Sequence, residues 1–164
     1  MSATSNKPRG VKVDSYLVPE TVAKPNSFTG LMSLYESNFL RMQALIPTLA
    51  TITGLHRSDV SADLPLHLEV LERTRYTATL SLTYWFDEGG EAQDDTAFAD
   101  PDLTLRVYFD GQLAEVMSLA ASHRHHVLRD IAASHREELD IRWRRNVMLN
   151  KWLEYLLDSG HQFR

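Results

Sequence analysis

The stretch LTLRVYFDGQLAEVMSL, residues 103–119, decides the fold. Asp110-Gly111 stands between two runs of alternating apolar and polar residues, which predicts a hairpin with a two-residue type I′ turn. The pairing follows: Phe109 with Gln112, Tyr108 with Leu113, Val107 with Ala114, Arg106 with Glu115, Leu105 with Val116. One face then carries Leu105, Val107, Phe109, Ala114 and Val116. The other sets Arg106 against Glu115 beside Tyr108, a cross-strand pair worth about 0.2–1 kcal/mol. A lone hairpin with one apolar face is marginal in water, so further strands and a cover are required.

Upstream, Leu66 to Leu71 and Tyr76 to Phe86 alternate in the same way. Leu66, Leu68 and Val70 share one face of the first; Tyr76, Ala78, Leu80, Leu82, Tyr84 and Phe86 share one face of the second. A three-residue loop, Arg73-Thr74-Arg75, pairs Val70 with Ala78 and Leu68 with Leu80. A two-residue loop would turn one apolar face outward. This loop has no Gly, Asn or Pro, so a contact from outside is expected to hold it. Asp87 to Pro101, with Gly89-Gly90, reads as a solvated acidic loop.

Two helices supply the cover. Ser27 is an N-cap for a helix ending at Pro47, with Leu31, Leu34, Tyr35, Met42, Leu45 and Ile46 on one face. Asn38 falls inside that stripe and is expected to be a buried, hydrogen-bonded amide. The second helix spans Leu139 to Leu157, with Ile141, Arg145, Met148, Leu149, Trp152, Leu153 and Leu156 as its stripe and Gly160 as its stop. Residues 48–64 read as a loop, and residues 120–138 leave helix and strand equally open. The expected fold is α+β: a curved antiparallel sheet of four strands, as two hairpins, packed against an N-terminal and a C-terminal helix. Residues 27–160 form one domain behind an extended or disordered arm, residues 1–26.

The chain has 164 residues, a net charge of −5 and no cysteine. Without cysteine there is no disulfide framework, thiolate nucleophile or cysteine-ligated zinc. Met1 to Gly10 has no apolar core of a signal peptide. The longest charge-free run, Met42 to Leu55, is shorter than the roughly 20 residues of a spanning helix. No membrane association and a cytoplasmic address are expected. The negative charge disfavours nucleic acid.

Nucleophile elbow, phosphate loop, zinc-binding His-Glu-x-x-His and dinucleotide fingerprint are all absent. His123 and His125 share a face if extended, but spacing positions no third ligand, so neither metal nor cofactor is expected. The arginines between Ser122 and Arg145 alternate with Asp130, Glu137, Glu138 and Asp140, which fits salt bridges on a wet face better than phosphate binding. The candidate polar site is Glu72, Arg75, Tyr76, Arg106, Tyr108 and Glu115, a set able to give fixed polar geometry on a sheet. The simpler account of it is a cross-strand ion-pair network, with Arg106 and Glu115 satisfying each other.

Four segments carry a family resemblance: Glu36-Ser37-Asn38-Phe39, Glu72-Arg73-Thr74-Arg75-Tyr76-Thr77, Arg106-x-Tyr108-x-Asp110-x-x-x-Ala114-Glu115-Val116, and Trp152-Leu153-x-Tyr155. In order and content they resemble the YqiB-like family of bacterial proteins of unknown function, over residues 28–160. The resemblance implies a small cytoplasmic protein without an established activity; the family's gene neighbours imply nucleotide-related physiology. His123-Arg124-His125-His126 and the long acidic loop depart from the family pattern. Two functions follow as expectations: a non-enzymatic binding or adaptor protein, with an unknown protein partner or a second copy as a homodimer; or an enzyme or sensor for a small anionic, nucleotide-like metabolite, with Arg75 and Arg106 as anion contacts and Tyr76 and Tyr108 as walls.

Overall fold

The computed structural model describes residues 27–86, 98–118 and 141–164. The N-terminal arm, most of the acidic loop, and residues 119–140 with the histidine cluster lie outside the described residues. The elements are α1 (Phe28–Leu45), β1 (Leu55–Ser58), β2 (Leu66–Arg73), β3 (Thr77–Phe86), β4 (Phe98–Tyr108), β5 (Leu113–Ser118) and α2 (Ile141–Asp158). The strands form one antiparallel meander in the order β1-β2-β3-β4-β5. The expected α+β class holds, but the sheet has five strands rather than four.

The added strand, β1, lies in the segment read as a loop. It has four residues and pairs with β2 alone. Leu55 is 69% exposed, so no alternation marks it in the sequence.

The β4–β5 register is as expected from Leu105–Val116 to Tyr108–Leu113. The turn differs. Pairing stops at Tyr108–Leu113, leaving a four-residue loop whose left-handed residue is Gln112 (φ 52°) rather than Asp110 or Gly111. Both loops give the same register, because each joins Tyr108 to Leu113 through the same residues.

In the β2–β3 pair the register moves by two, so that Leu68 meets Leu82 and Val70 meets Leu80. An even shift keeps the apolar faces together. A bulge between Val70 and Glu72 then turns Arg73 to the helix side. Its guanidinium donates to the carbonyls of Leu49, Ala50 and Ile52 at 2.7–3.1 Å and stacks 5.4 Å over the Phe109 ring. The turn has chemistry of its own after all: Thr74 Oγ1 accepts from the backbone N–H groups of Tyr76 (3.2 Å) and Thr77 (3.0 Å). Tyr76 consequently sits in the turn, 54% exposed, and not on the apolar face. β4 begins at Phe98, before the end of the supposed acidic loop. Pro101 fits in that strand because the β3–β4 ladder is irregular between Leu82 and Tyr84.

The apolar sheet face, including Leu68, Leu80, Leu82, Leu105 and Val107, packs against Phe39, Met42 and Leu45 of α1 and Leu149, Trp152 and Leu153 of α2 in one core. Ser27 caps α1, its hydroxyl accepting from Gly30 N–H at 3.0 Å. Gly160, at φ 90°, ends α2: its N–H donates to Leu157 C=O and that of His161 to Leu156 C=O. That is a Schellman cap, which needs the left-handed residue glycine supplies. The α2 stripe is rotated from expectation. Ile141 is 62% exposed, while Trp143, Asn146, Val147 and Asn150 are buried. The cause is that α2 contacts α1 as well as the sheet, with Leu34, Trp143 and Val147 forming a second cluster.

Asn38 is fully buried, as expected for a satisfied amide. Its Nδ2 donates to Asn146 Oδ1 (3.2 Å) and reaches Ala114 C=O (3.5 Å), and its Oδ1 accepts from Asn150 Nδ2 (3.0 Å). Asn146 Oδ1 also accepts Val116 N–H at 3.1 Å. Edge groups of β5 are thus bonded by side chains of the two helices.

Two substitutions test this account. Asn146→Ala strands the Val116 N–H, worth about 1–3 kcal/mol, and leaves Asn38 Nδ2 only its longer contacts to the Ala114 and Asn146 carbonyls, so urea unfolding should show a loss of roughly 1–3 kcal/mol. Gln112→Gly removes a left-handed penalty of about 1–2 kcal/mol against a smaller entropic cost. A net gain of roughly 0.5–1 kcal/mol and a raised Tm are expected; a lowered Tm would rule out the left-handed turn.

Candidate functional site

The pleat places every second residue on the outer sheet face. Glu72 of β2, Thr79 of β3, Arg106 of β4 and Glu115 of β5 form one row across it. Tyr108 stands in the next row, level with Thr77 and Leu113. The structure brings Arg106, Tyr108 and Glu115 together: the Tyr108 hydroxyl donates to Glu115 Oε1 at 2.7 Å, and Arg106 Nη2 reaches Thr79 Oγ1 at 3.5 Å. Arg106 and Glu115 are register partners, but the carboxylate's hydrogen bond is to tyrosine. Burial, reinforced by that bond, raises the Tyr108 phenol above its ordinary range.

Glu72 is separated from Arg106 by a whole strand. Arg75 and Tyr76 lie in the β2–β3 turn, where the Arg75 guanidinium stacks 5.2 Å over the Tyr76 ring. Tyr76 C=O accepts Phe109 N–H (2.9 Å), which ties this turn to the end of β4. The six candidates therefore divide into a triad centred on Glu115, a turn pair, and Glu72 alone.

Glu115 also lines a cleft of about 400 Å³ between β5 and α2, with Val116, Met117, Ile141, Arg142 and Arg145. Arg142 and Arg145 are three apart on α2 and so neighbours on its surface. Among the described residues neither guanidinium is in an ion pair within 4 Å, and Arg142 acts on the Tyr35 hydroxyl. Tyr35 of α1 is 4% exposed; its hydroxyl has no partner in close hydrogen-bond geometry, and Glu115 and Arg142 act on it from farther off. Burial pushes that phenol up to about 12; Glu115 adds to the rise and Arg142 opposes it. In the sequence Arg142 reads as part of a salt-bridged arginine face and Arg145 as part of the apolar stripe, and the rotation of α2 brings both to the cleft.

A second polar cluster gave no local signal at all. Ser58 ends β1, Asp63 lies in the β1–β2 loop, Tyr84 is in β3 and His161 follows α2. His161 Nδ1 bonds Ser58 Oγ (3.0 Å), its Nε2 bonds Asp63 Oδ2 (3.3 Å), and the Tyr84 hydroxyl donates to the same Asp63 oxygen. Ser58 Oγ also accepts Gln162 N–H (3.3 Å), and Trp152 Nε1 donates to Tyr84 Oη (3.4 Å). The types are those of an acid–base triad, but Ser58 is 6% and His161 2% exposed, which leaves a substrate no approach to the hydroxyl. The cluster ties the C-terminal tail to β1 and β3.

No group of three or more His, Cys, Asp or Glu suited to a metal occurs among the described residues. None of their helices is long and apolar enough to cross a membrane.

The family model described as "Protein of unknown function (DUF1249)" matches residues 41–162. The chain belongs to this family. The matched span opens within α1, closes in the C-terminal tail, and contains Glu115, Arg142, Arg145, Asp63 and His161. The chain is 28% identical over 133 residues to "Uncharacterized protein YqiB" of Escherichia coli K12, and to the same protein of the O6:H1 and O157:H7 strains. The match covers 81% of this chain and 90% of the relative. The YqiB-like resemblance of the four sequence segments is thereby borne out. No solved structure matches.

Burial holds the His161 imidazole below its ordinary 6.5, against the opposing pull of Asp63. The unfolded chain then binds the proton more readily, so the contribution of neutral His161 is fully present above about pH 6.5 and is lost as pH falls through the folded value. Tm should drop between pH 7.5 and 5, and His161→Asn should flatten the drop. His67, lowered by burial and then by Arg57, is less buried, and His67→Asn should flatten it less. An unchanged slope in His161→Asn would dismiss this assignment.

Proposed function

We propose that this is a non-enzymatic binding protein that receives an anionic group in the cleft between β5 and α2. The observation that carries the reading is the pair Arg142 and Arg145, two guanidiniums on one cleft wall without an ion pair among the described residues, in a chain whose net charge is −5. Neighbouring cations repel unless a counter-ion joins them, and the guanidinium fork suits carboxylate or phosphate. A cleft of about 400 Å³ is the size of a small-molecule site. Arg106, Tyr108 and Glu115 form the adjoining polar rim in this reading, while Arg75 and Tyr76 are turn residues. The sealed geometry of Ser58, His161 and Asp63 favours binding over turnover. The proposed address is the cytoplasm, supported by a chain without cysteine.

A thermal-shift screen of the full chain against nucleotides, sugar phosphates and acidic peptides tests this. A ligand at about a hundred times its Kd adds about 2.7 kcal/mol, a rise of several degrees in Tm. The double variant Arg142→Glu, Arg145→Glu should abolish the rise while leaving the unliganded Tm within about 2 °C, since both side chains reach solvent. No shift with any anion at millimolar concentration would defeat the proposal.

A further inference from the structure

The buried cluster of Ser58, Asp63, Tyr84 and His161 dictates where its hydrogens sit. Asp63 Oδ2 receives the Tyr84 hydroxyl and lies 3.3 Å from His161 Nε2. An ionised carboxylate can only accept, so Nε2 carries the hydrogen. Nδ1 of the neutral ring is then an acceptor, and the Ser58 hydroxyl, 3.0 Å away, donates to it. Ser58 Oγ in turn accepts Gln162 N–H.

A proton added at Nδ1 breaks this order. Nδ1 becomes a donor aimed at Ser58 Oγ, and the serine hydrogen must turn away although Ser58 is only 6% exposed. A buried donor without an acceptor is costly. Burial of the ring opposes the proton and prevails; the carboxylates of Asp63 and Asp59 favour it. Tyr84 of β3 and Tyr155 of α2 act on Asp63, and both phenols, raised by burial, stay uncharged. Trp152 Nε1 donates to Tyr84 Oη.

The same serine joins two segments with few other ties. β1 has four residues at the sheet edge, and just before it Gly54 C=O accepts Val70 N–H of β2. Beyond Gly160, Gln162 N–H is bonded to Ser58 and Phe163 N–H to Leu45 C=O. Gly54 (φ 81°) and Gly160 (φ 90°) stand where the two segments begin, and glycine changes φ at little steric cost.

We propose that His161 is the pin of a proton-sensitive latch: a proton at Nδ1 raises the population of a form in which residues 161–164 and β1 are undocked while β2 to β5 stay paired. Undocking bares the outer edge of β2 and the core position of Phe163, which is 2% exposed when docked. The ordinary imidazole value of about 6.5 sets a ceiling, a rise of about thirtyfold in the undocked population at pH 5.

The test is amide hydrogen exchange of the full chain, followed by NMR at pH 7.5 and 5, with each rate referred to the unfolded chain at the same pH. The amides of Val70, Gln162 and Phe163 should lose protection by about fivefold to thirtyfold at pH 5, and those of the β3–β4 ladder by less than about twofold. In His161→Gln, which does not titrate in this range, the loss at the three amides should shrink to that of the ladder. The ring nitrogen shifts of His161 at pH 7.5 should be those of the Nε2–H tautomer, a readout that stands even where the variant does not fold. A fall shared equally by all amides is global destabilisation and overturns the latch, as does a loss that persists in His161→Gln. The Nδ1–H tautomer, or a ring already doubly protonated at pH 7.5, overturns the hydrogen arrangement from which the latch follows.

Discussion

Three asparagines run through the interface of α1 and α2 and end on the backbone of β5. Asn150 donates to Asn38, Asn38 to Asn146, and Asn146 accepts the Val116 N–H. An edge strand buried under helices presents backbone groups that neither water nor another strand can satisfy. Carboxamides meet that need because each carries both donors and an acceptor. The bonds set the height of α2 against β5 as well as its rotation. They are directional, whereas the surrounding leucine contacts tolerate sliding.

The cleft depends on that setting. Arg142 lies one turn before Asn146, and its carbonyl accepts Asn146 Nδ2 at 2.9 Å; Arg145 is the adjacent residue. They line one cleft with Glu115 and Met117, and Asn146 is bonded to Val116, which lies between those two. At the other end of the domain the Asp63, Tyr84, His161 and Ser58 cluster holds the tail, with Phe163 N–H donating to Leu45 C=O at 2.9 Å. The two polar networks thus have different tasks. One is enclosed and joins distant segments, and the other leaves charge at an open wall.

The division also bears on how a family without an assigned activity is read. A serine, a histidine and an aspartate in hydrogen-bond contact invite a catalytic interpretation. Burial decides against it, since a nucleophile must meet its substrate. In the proposed reading it is the less conspicuous arginines beside the cleft that a ligand would use.

Period and turn composition along the chain determined much of this protein. The alternation in β2 to β5, the pairing Arg106–Glu115, the Ser27 cap and the Gly160 stop are local patterns, because strand faces and helix ends are set by neighbours a few residues away. The closeness of Arg106, Tyr108 and Glu115 was legible for the same reason: they belong to one hairpin. Tertiary structure alone decided the rest. β1 is a strand only because β2 offers it an edge; Arg73 points inward only because a bulge turns it; Arg145 left the apolar stripe because α2 rests on α1 as well as on the sheet. Glu115 and Arg142 line one cleft, and Ser58 meets His161, across separations of 27 and 103 residues. No local period encodes such meetings, since they arise where independently formed elements pack.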